Sequence, residues 1–222
     1  MLKVEAEEAA AIVERMLDAL SSTASARGRA GSNLRTTIGE LRAEAVASLQ
    51  DGSIGVRLGE CFESARLAGA TLGKMARVRE GILAETPANL PAALVMEAGI
   101  GLCLVIESRI LVRTRFTSRQ DVDAIKVLMN DAFNVAEESA ADIMDAARYR
   151  AVVQLHAAVI FHLTETARPL PRMVRFNFAA PMPTLLLAQR LYYDGGRADE
   201  LKNENKTVHP AFAQRKGRAL SA

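Results

Sequence analysis

Residues 172–222 read RMVRFNFAAPMPTLLLAQRLYYDGGRADELKNENKTVHPAFAQRKGRALSA, and the hydrophobic period changes along this stretch. Residues 173–178 alternate apolar and polar side chains, as a short strand does. The apolar run at 181–192, with Pro183 near its start, predicts a helix. Two glycines then predict a turn, 197–205 a second short helix, and the final KGRALSA a second strand. The stretch therefore predicts a compact β-α-α-β module.

The rest of the chain, residues 1–167, predicts a helical bundle. Hydrophobic residues make up 50% of the 222-residue sequence and charged residues 24%, while aromatics are only 5% and Trp is absent. The core therefore has to be aliphatic, and Ala and Leu lose least on entering a helix. We expect a mainly α fold, in which an Ala-rich helical bundle domain (1–167) is followed by the small β-α-α-β module (172–222).

Apolar residues at three- and four-residue spacing predict the individual helices of this bundle. The helices are expected at about 2–26, 33–50, 53–85, 90–112, 119–146 and 148–167. The fifth should begin with a capping box, in which Ser118 accepts from the backbone of Asp121 and the Asp121 carboxylate bonds back. The acidic side chains near the end of that helix are expected on its solvated face. These acids are Glu137, Glu138, Asp142 and Asp145.

The most apolar segment is LPAALVMEAGIGLCLVIESRILV, residues 90–112. It approaches the length of a membrane span but contains Glu97 and Glu107, and a carboxylate at mid-membrane costs roughly 2.5–3.5 kcal/mol on insertion scales. We therefore expect the buried central helix of a bundle, and no membrane partner. The acidic start, MLKVEAEEAAAIVERML, does not have the pattern of a secretion signal.

No residue pattern in the sequence predicts catalysis, a cofactor or a metal site. His156 and His162 lie six residues apart and point to opposite sides of a helix, and His209 has no second ligand nearby in sequence. The sequence contains no GxGxxG, GxxxxGK[ST] or GxSxG motif. Cys61 and Cys103 are expected to be buried free thiols of a reducing compartment. We expect a protein that is not an enzyme.

Charge is distributed unevenly between the two predicted domains. Residues 168–222 carry ten Lys/Arg and four Asp/Glu, a net charge of +6, whereas residues 1–167 carry eighteen and twenty-two, a net charge of −4. An acidic body with a basic tail is typical of a chain that docks its tail on a partner. Because the basic residues are interleaved with acids and show no recognition helix or aromatic platform, protein docking is favoured over DNA binding.

The C-terminal stretch as a whole resembles a LysM module, in which two short helices pack on one side of a two-stranded sheet. More closely, it resembles the C-terminal part of the Mu-like phage DNA circularisation protein (tail protein N) family. The Ala-rich helical region that ends in FTSRQDVDAI is also similar to the middle segment of that family. The residues that carry the resemblance are Pro181, Leu185, Ala188, Arg190, Leu191, Tyr192, Asp194, Arg197, Ala198, Glu200, Leu201, Asn205, His209, Pro210 and Phe212. Eleven of these residues are expected to define the module and its partner docking: Leu185, Arg190, Tyr192, Asp194, Arg197, Glu200, Leu201, Asn205, His209, Pro210 and Phe212.

Within such a module these residues are given structural roles. Tyr192 and Leu201 should anchor the two helices in the core. The Gly195-Gly196 pair should let the chain reverse between them. Asn205 should cap the second helix with its side chain or with a left-handed backbone. The His209-Pro210-Phe212 segment should fasten the loop that follows.

The resemblance implies a virion protein of a contractile tail, made in the host cytoplasm and located where the tail tube meets the baseplate. Its expected partners are hub, wedge and tube proteins, together with further copies of itself in three- or six-fold symmetry. Members of the family usually carry an N-terminal β-rich domain, whereas this chain begins with helices. Three alternatives stay open: a peptidoglycan-binding LysM protein in which Tyr193 contacts the glycan, a DNA-end-binding circularisation protein, and a helical regulator without a phage role.

Overall fold

The computed structural model describes residues 3–23 and 27–221, except for the side chain of Lys3. In this part of the chain the fold is mainly helical, with one small sheet, which confirms the predicted fold class. The helices are α1 (Lys3–Thr23), α2 (Gly28–Asp51), α3 (Ile54–Leu67), α4 (Leu72–Leu83), α5 (Leu90–Leu111), α6 (Arg119–Asp142), α7 (Ala146–Ala167), α8 (Thr184–Tyr192) and α9 (Ala198–Glu204). The strands are β1 (Met173–Asn177) and β2 (Lys216–Leu220).

The chain divides into two compact units. The first extends to Thr114 and also includes Met129–Val159, and the second comprises Arg115–Leu128 and the residues from Ile160 onward. The elements of the predicted module, β1, α8, α9 and β2, all lie in the second unit. That unit also contains the first turns of α6 and the last turns of α7, which the predicted helical domain had included.

Helices α1 to α5 pack around one another in the first unit, where α1 contacts each of the other four. Helix α5 supplies much of this core, with Ile100, Leu104 and Ile106 almost completely buried. Among the described helices, α5 alone is long and apolar enough to cross a membrane by length and composition, and 56% of its apolar window is buried inside the structure. The helix predicted at 90–112 is thus a core helix of the first unit.

The helix predicted at 53–85 is wrong, because two helices occupy this segment. Helix α3 ends at Leu67 and α4 begins at Leu72, and between them Gly69 adopts a left-handed backbone with φ of 93°. Leu67, the last residue of α3, and Leu83, the last residue of α4, are both exposed. Helix α2 also begins earlier than predicted, and residues 2 and 24–26 of the first predicted helix lie outside the described residues.

The predicted capping box at the start of α6 is confirmed. The backbone N–H of Asp121 donates to Ser118 Oγ over 3.2 Å, and the N–H of Ser118 donates to the Asp121 carboxylate over 3.1 Å. At its other end α6 stops before the predicted residue 146, and Met144 takes a left-handed φ of 55°. The Asp145 carboxylate then accepts from the first free N–H groups of α7, which starts the next helix.

The module has the predicted β-α-α-β order, with β1 and β2 paired antiparallel from Met173↔Leu220 to Asn177↔Lys216. One face of this two-stranded ribbon is covered by the two helices. The small core between them consists of Phe176, Leu187, Ala188, Leu201, Ala213 and Ala219. Pro183, expected near the first helical position, takes the N-cap position of α8.

Candidate docking site in the C-terminal module

Within the module, Gly217 of β2 packs closely against Asn205 and Phe176. A Cβ atom at this position would overlap Asn205 Oδ1 and would lie 2.6 Å from Phe176 Cζ, closer than real Cβ atoms come to their neighbours. Only glycine lets the Asn205 side chain pack directly against the ribbon. The sequence places a glycine in the last strand, but its pairing with Asn205 depends on the tertiary fold.

Asn205 joins α9 to β2 through its side-chain amide. Its Nδ2 donates to the carbonyl oxygens of Leu201 (2.9 Å) and Arg218 (2.8 Å), and its Oδ1 accepts from the N–H of Arg218 (2.7 Å). The predicted side-chain cap is therefore confirmed. A left-handed backbone, the alternative predicted for Asn205, occurs instead at the next residue, Lys206, whose φ is 48°.

The opposite edge of the ribbon is held in the same manner by Gln120, near the start of α6. The N–H of Met173 donates to Gln120 Oε1 over 2.6 Å, and Gln120 Nε2 donates to the Met173 carbonyl over 3.4 Å. Two side-chain amides, Gln120 and Asn205, thus occupy outward-facing backbone groups on the two strands. Such groups would otherwise be open to pairing with another strand. Sequence reasoning missed Gln120.

Tyr192, Arg197 and Glu200 form a polar cluster that joins α8 to α9. The Tyr192 hydroxyl donates to Glu200 Oε1 (3.0 Å), and Arg197 donates to both oxygens of the same carboxylate (3.0 and 2.9 Å). The Arg197 guanidinium also lies 3.7 Å from the centroid of the Tyr192 ring. Burial, followed by the hydrogen bond to Glu200, raises the pKa of Tyr192 to about 12.

The two predicted core anchors differ in burial. Leu201 is only 1% exposed and lies at the centre of the module core. Tyr192 is half-buried. Its ring packs against the edge of that core, and its hydroxyl makes the hydrogen bond to Glu200 described above.

The reversal between α8 and α9 does not use the conformational freedom of glycine. The left-handed residue is Tyr193, with φ of 59°, while Gly195 and Gly196 have ordinary backbones. The glycines instead allow close approach, since a Cβ on Gly195 would lie 3.3 Å from Leu185 Cδ1 and one on Gly196 would lie 3.1 Å from Asp194 Oδ1. Asp194 Oδ1 accepts from the N–H of Gly196 over 2.8 Å, which fixes the turn.

The loop that contains His209, Pro210 and Phe212 is fastened to the start of α8. The N–H of Thr184 donates to the Pro210 carbonyl over 2.7 Å, and the N–H of Ala213 donates to the carbonyl of Met182 over 3.0 Å. His209 accepts from the N–H of Ala211 through Nδ1 (3.2 Å), and its ring lies tilted against that of Phe212, with ring centroids 5.6 Å apart. These contacts agree with the predicted fastening role.

Large apolar side chains nevertheless remain exposed at this end of the module. Val208 is 98% exposed, Phe212 74% and Leu185, in the first turn of α8, 64%. Because the loop is bound to the start of α8, these three side chains belong to one end of the module, here called the apolar end. Arg190, also predicted to matter for docking, is exposed on α8.

In the first unit, His156 is held between two polar partners and an aromatic ring. Its Nδ1 lies 2.7 Å from Glu137 Oε1, its Nε2 lies 2.8 Å from Asn130 Oδ1, and its ring stacks on Phe133 at 4.8 Å. The expectation of a solvated Glu137 is therefore wrong, because this carboxylate is half-buried against His156. The arrangement ties α6 to α7 and presents no nucleophile.

Buried titratable groups in the first unit have structural surroundings. Glu107 is 1% exposed and pairs with Arg79 Nε at 3.1 Å, and its burial raises the pKa of this carboxyl. Cys61 and Cys103 are buried free thiols, as predicted, and burial raises the pKa of Cys61 to about 11. Within residues 3–23 and 27–221, no group of three or more His, Cys, Asp or Glu side chains could hold a metal ion.

Comparison of the chain with protein-family models finds no match, and comparison with curated proteins finds none either.

Proposed function

We propose that the chain is a structural component of a contractile phage-type tail, at the junction between the tail tube and the baseplate hub. Its helical unit packs against neighbouring subunits, and its C-terminal module clamps an adjacent hub, wedge or tube protein. The role is one of assembly in the virion and involves no catalytic step and no cofactor.

The observation that carries this proposal is the apolar end of the module. Large apolar side chains that remain exposed on an ordered surface are typical of protein–protein contacts, where aromatic residues contribute most of the binding energy. Phe212 and Val208 fit this description, because their loop is bound to the start of α8 by the Thr184–Pro210 and Ala213–Met182 hydrogen bonds. A loop held in one conformation loses little entropy on binding, so such a surface is suited to clamping a partner.

The β-α-α-β topology supports the same interpretation. Its helices cover only one face of the ribbon, which is also the arrangement in a LysM module. The resemblance to the tail protein N family rests on residues that this fold uses structurally, among them Tyr192, Leu201 and Asn205.

The proposal is tested by assembly of tail particles from a cell that produces the full set of tail proteins with a tagged copy of this chain. Mass spectrometry of purified particles should find the wild-type chain. The variant Val208→Ser/Phe212→Ser should fold but be absent from the particles, because the clamp has lost its anchors. Val56→Ser changes a side chain of similar exposure (70%) in the first unit and serves as the matched control. Particles that assemble without the wild-type chain would contradict the proposal.

Peptidoglycan binding is the second candidate, and a specific side chain favours it. Tyr193 is 87% exposed and is held at a left-handed φ, so its ring projects from the end of α8 as sugar-binding aromatics do. Sedimentation with insoluble cell wall separates the two candidates. Retention that disappears in Tyr193→Ala would favour glycan binding, whereas the tail-assembly proposal expects the chain to stay in the supernatant.

Genome-end binding is separated by a filter-binding assay with linear duplex DNA over a salt series. Real phosphate contacts would give an affinity that falls steeply with salt. The tail-assembly proposal expects only weak retention at low salt.

A further inference from the structure

The uncovered face of the ribbon carries an unusual concentration of positive charge. The strand register places Arg175 directly opposite Arg218 and Asn177 opposite Lys216. Residues that face each other in an antiparallel pair project to the same side. Since Phe176 projects into the core, its neighbours Arg175, Arg218 and Lys216 project to the other side, where all three are exposed. These three residues are called the basic ribbon face below.

This charge is poorly balanced within the module. Like charges directly opposite each other in a sheet are destabilising. Among the described residues, Glu204 makes the one ion pair recorded for this face, 3.7 Å from Arg218 Nε, and the Arg218 side chain is still 63% exposed. The carboxylates of Asp194 and Glu200 are engaged in the turn and with Arg197. A sequence that keeps such a repulsive pair on an exposed surface indicates a functional requirement there.

The same chain carries a complementary surface on α6. Asp131, Glu138 and Asp142 are spaced at i, i+7 and i+11, so they form one stripe along this helix. All three are exposed, and none has an ion pair within residues 3–23 and 27–221. The stripe accounts for part of the negative charge of the helical body.

We propose that the basic ribbon face binds the α6 stripe of a second copy of this chain. The contact joins two different surfaces, so repetition of it builds a head-to-tail ring or filament rather than a two-fold dimer. The inference goes beyond the proposed function, because it concerns a different face of the module and holds whether or not the apolar end binds a tail protein.

A second copy fits this face better than nucleic acid does. The face is short, and Glu204 beside Arg218 would repel a phosphate backbone. The exposed aromatic side chains of the module, Tyr193 and Phe212, lie outside the strands, so the ribbon offers no stacking platform for bases. An acidic helix stripe, in contrast, can alternate with the three cations and leave Glu204 in solvent.

The test is a reciprocal charge reversal, read out as molecular mass by sedimentation at low and high salt over a range of protein concentrations. The wild-type chain should associate at low salt and dissociate at high salt. Arg175→Glu/Arg218→Glu should be monomeric under both conditions, and so should Asp131→Lys/Glu138→Lys. The four changes combined should restore association. Arg77→Glu/Arg113→Glu, which makes the same change in net charge at exposed sites of the first unit, should associate like the wild type.

Circular dichroism establishes that each variant is folded. If Arg175→Glu/Arg218→Glu does not fold, Arg175→Gln/Arg218→Gln removes the charge with less perturbation and should also be monomeric. A wild-type chain that stays monomeric at every concentration would overturn the inference, and so would a combined variant that fails to associate. Charge-reversal variants that change the melting temperature but not the molecular mass would place the contact within one chain and overturn the inference. Charge-reversal variants that lose duplex DNA binding while their molecular mass stays that of the wild type would overturn it too.

Discussion

The first unit and the C-terminal module are stabilised in different ways. In the first unit, helices α1 to α5 bury many large side chains, including Phe62, Leu58 and Leu104, none of which retains measurable exposure. The module has a core of six buried residues, three of them alanines, and depends on hydrogen bonds from side chains to backbone. The comparison indicates that a core of six residues leaves a larger share of the module's stability to side-chain–backbone hydrogen bonds, whereas the first unit has a larger apolar core to stabilise it.

The largest effects are expected from truncation of one central core residue in each unit. Leu201→Ala should destabilise the module by about 2–5 kcal/mol, because the site is fully buried and six residues cannot refill the cavity. Phe62→Ala should cost the first unit about 3–5 kcal/mol. Hydrogen exchange followed by mass spectrometry should show faster exchange confined to the altered unit. Equal acceleration in both units by either variant would break the comparison.

A methyl group added at Gly217 should cost the module about 1–3 kcal/mol, since it overlaps Asn205 and Phe176. The matched control is Gly81→Ala in α4, where an added Cβ meets nothing within 4 Å. That change should stabilise the first unit by about 0.5–1 kcal/mol through helix propensity. Denaturant titrations of both variants measure the opposite signs, and a neutral Gly217→Ala would contradict the packing described for the module.

Removal of the Asn205 amide should cost about 1–3 kcal/mol, because it leaves the N–H and C=O groups of Arg218 without their partner. Asn203→Ala, two residues earlier on the exposed side of α9, should be close to neutral. Amide exchange at Arg218 should accelerate in Asn205→Ala alone. If both variants melt at the wild-type temperature, the side-chain cap is not what stabilises the edge of the ribbon.

The smallest effects concern pH, and they have opposite directions in the two units. Arg66 and then Arg109 hold the pKa of Glu63 in the first unit down from 4.5 to about 2, so this pairing contributes stability above pH 4.5 that is lost as pH falls towards 2. The pKa of Tyr192 in the module is raised from 10 to about 12, so the module loses stability as pH rises between these values. Glu63→Gln should flatten the acid side of a stability profile and Tyr192→Phe the alkaline side. Unchanged profiles would contradict both assignments.

Local sequence signals were sufficient for much of the module. Alternation in MVRFNF, the apolar run before the two glycines and the capping box of Ser118 and Asp121 each depend on residues close in sequence, and each is present in the structure. The side-chain cap by Asn205 follows from the same kind of local reasoning.

Features that depend on residues distant in sequence could not be predicted. Gln120 and Met173, which form a hydrogen bond, are 53 residues apart in sequence. His156 contacts Glu137 only because α6 and α7 lie side by side. The break at Gly69 was missed because five glycines occur between residues 53 and 85, and only tertiary packing selects the one that turns left-handed. The exposed state of Phe212 also depends on the folded position of its loop, since an aromatic residue in a small module is usually read as core.

The most direct test of the central claim, that the module is a preformed clamp, is a cryo-electron microscopy map of the assembled tail that contains this chain. The account predicts the β-α-α-β module unchanged in the particle, with Phe212, Val208 and Leu185 buried against a different tail protein. A map in which this region is refolded, or in which those three side chains face solvent, would contradict it.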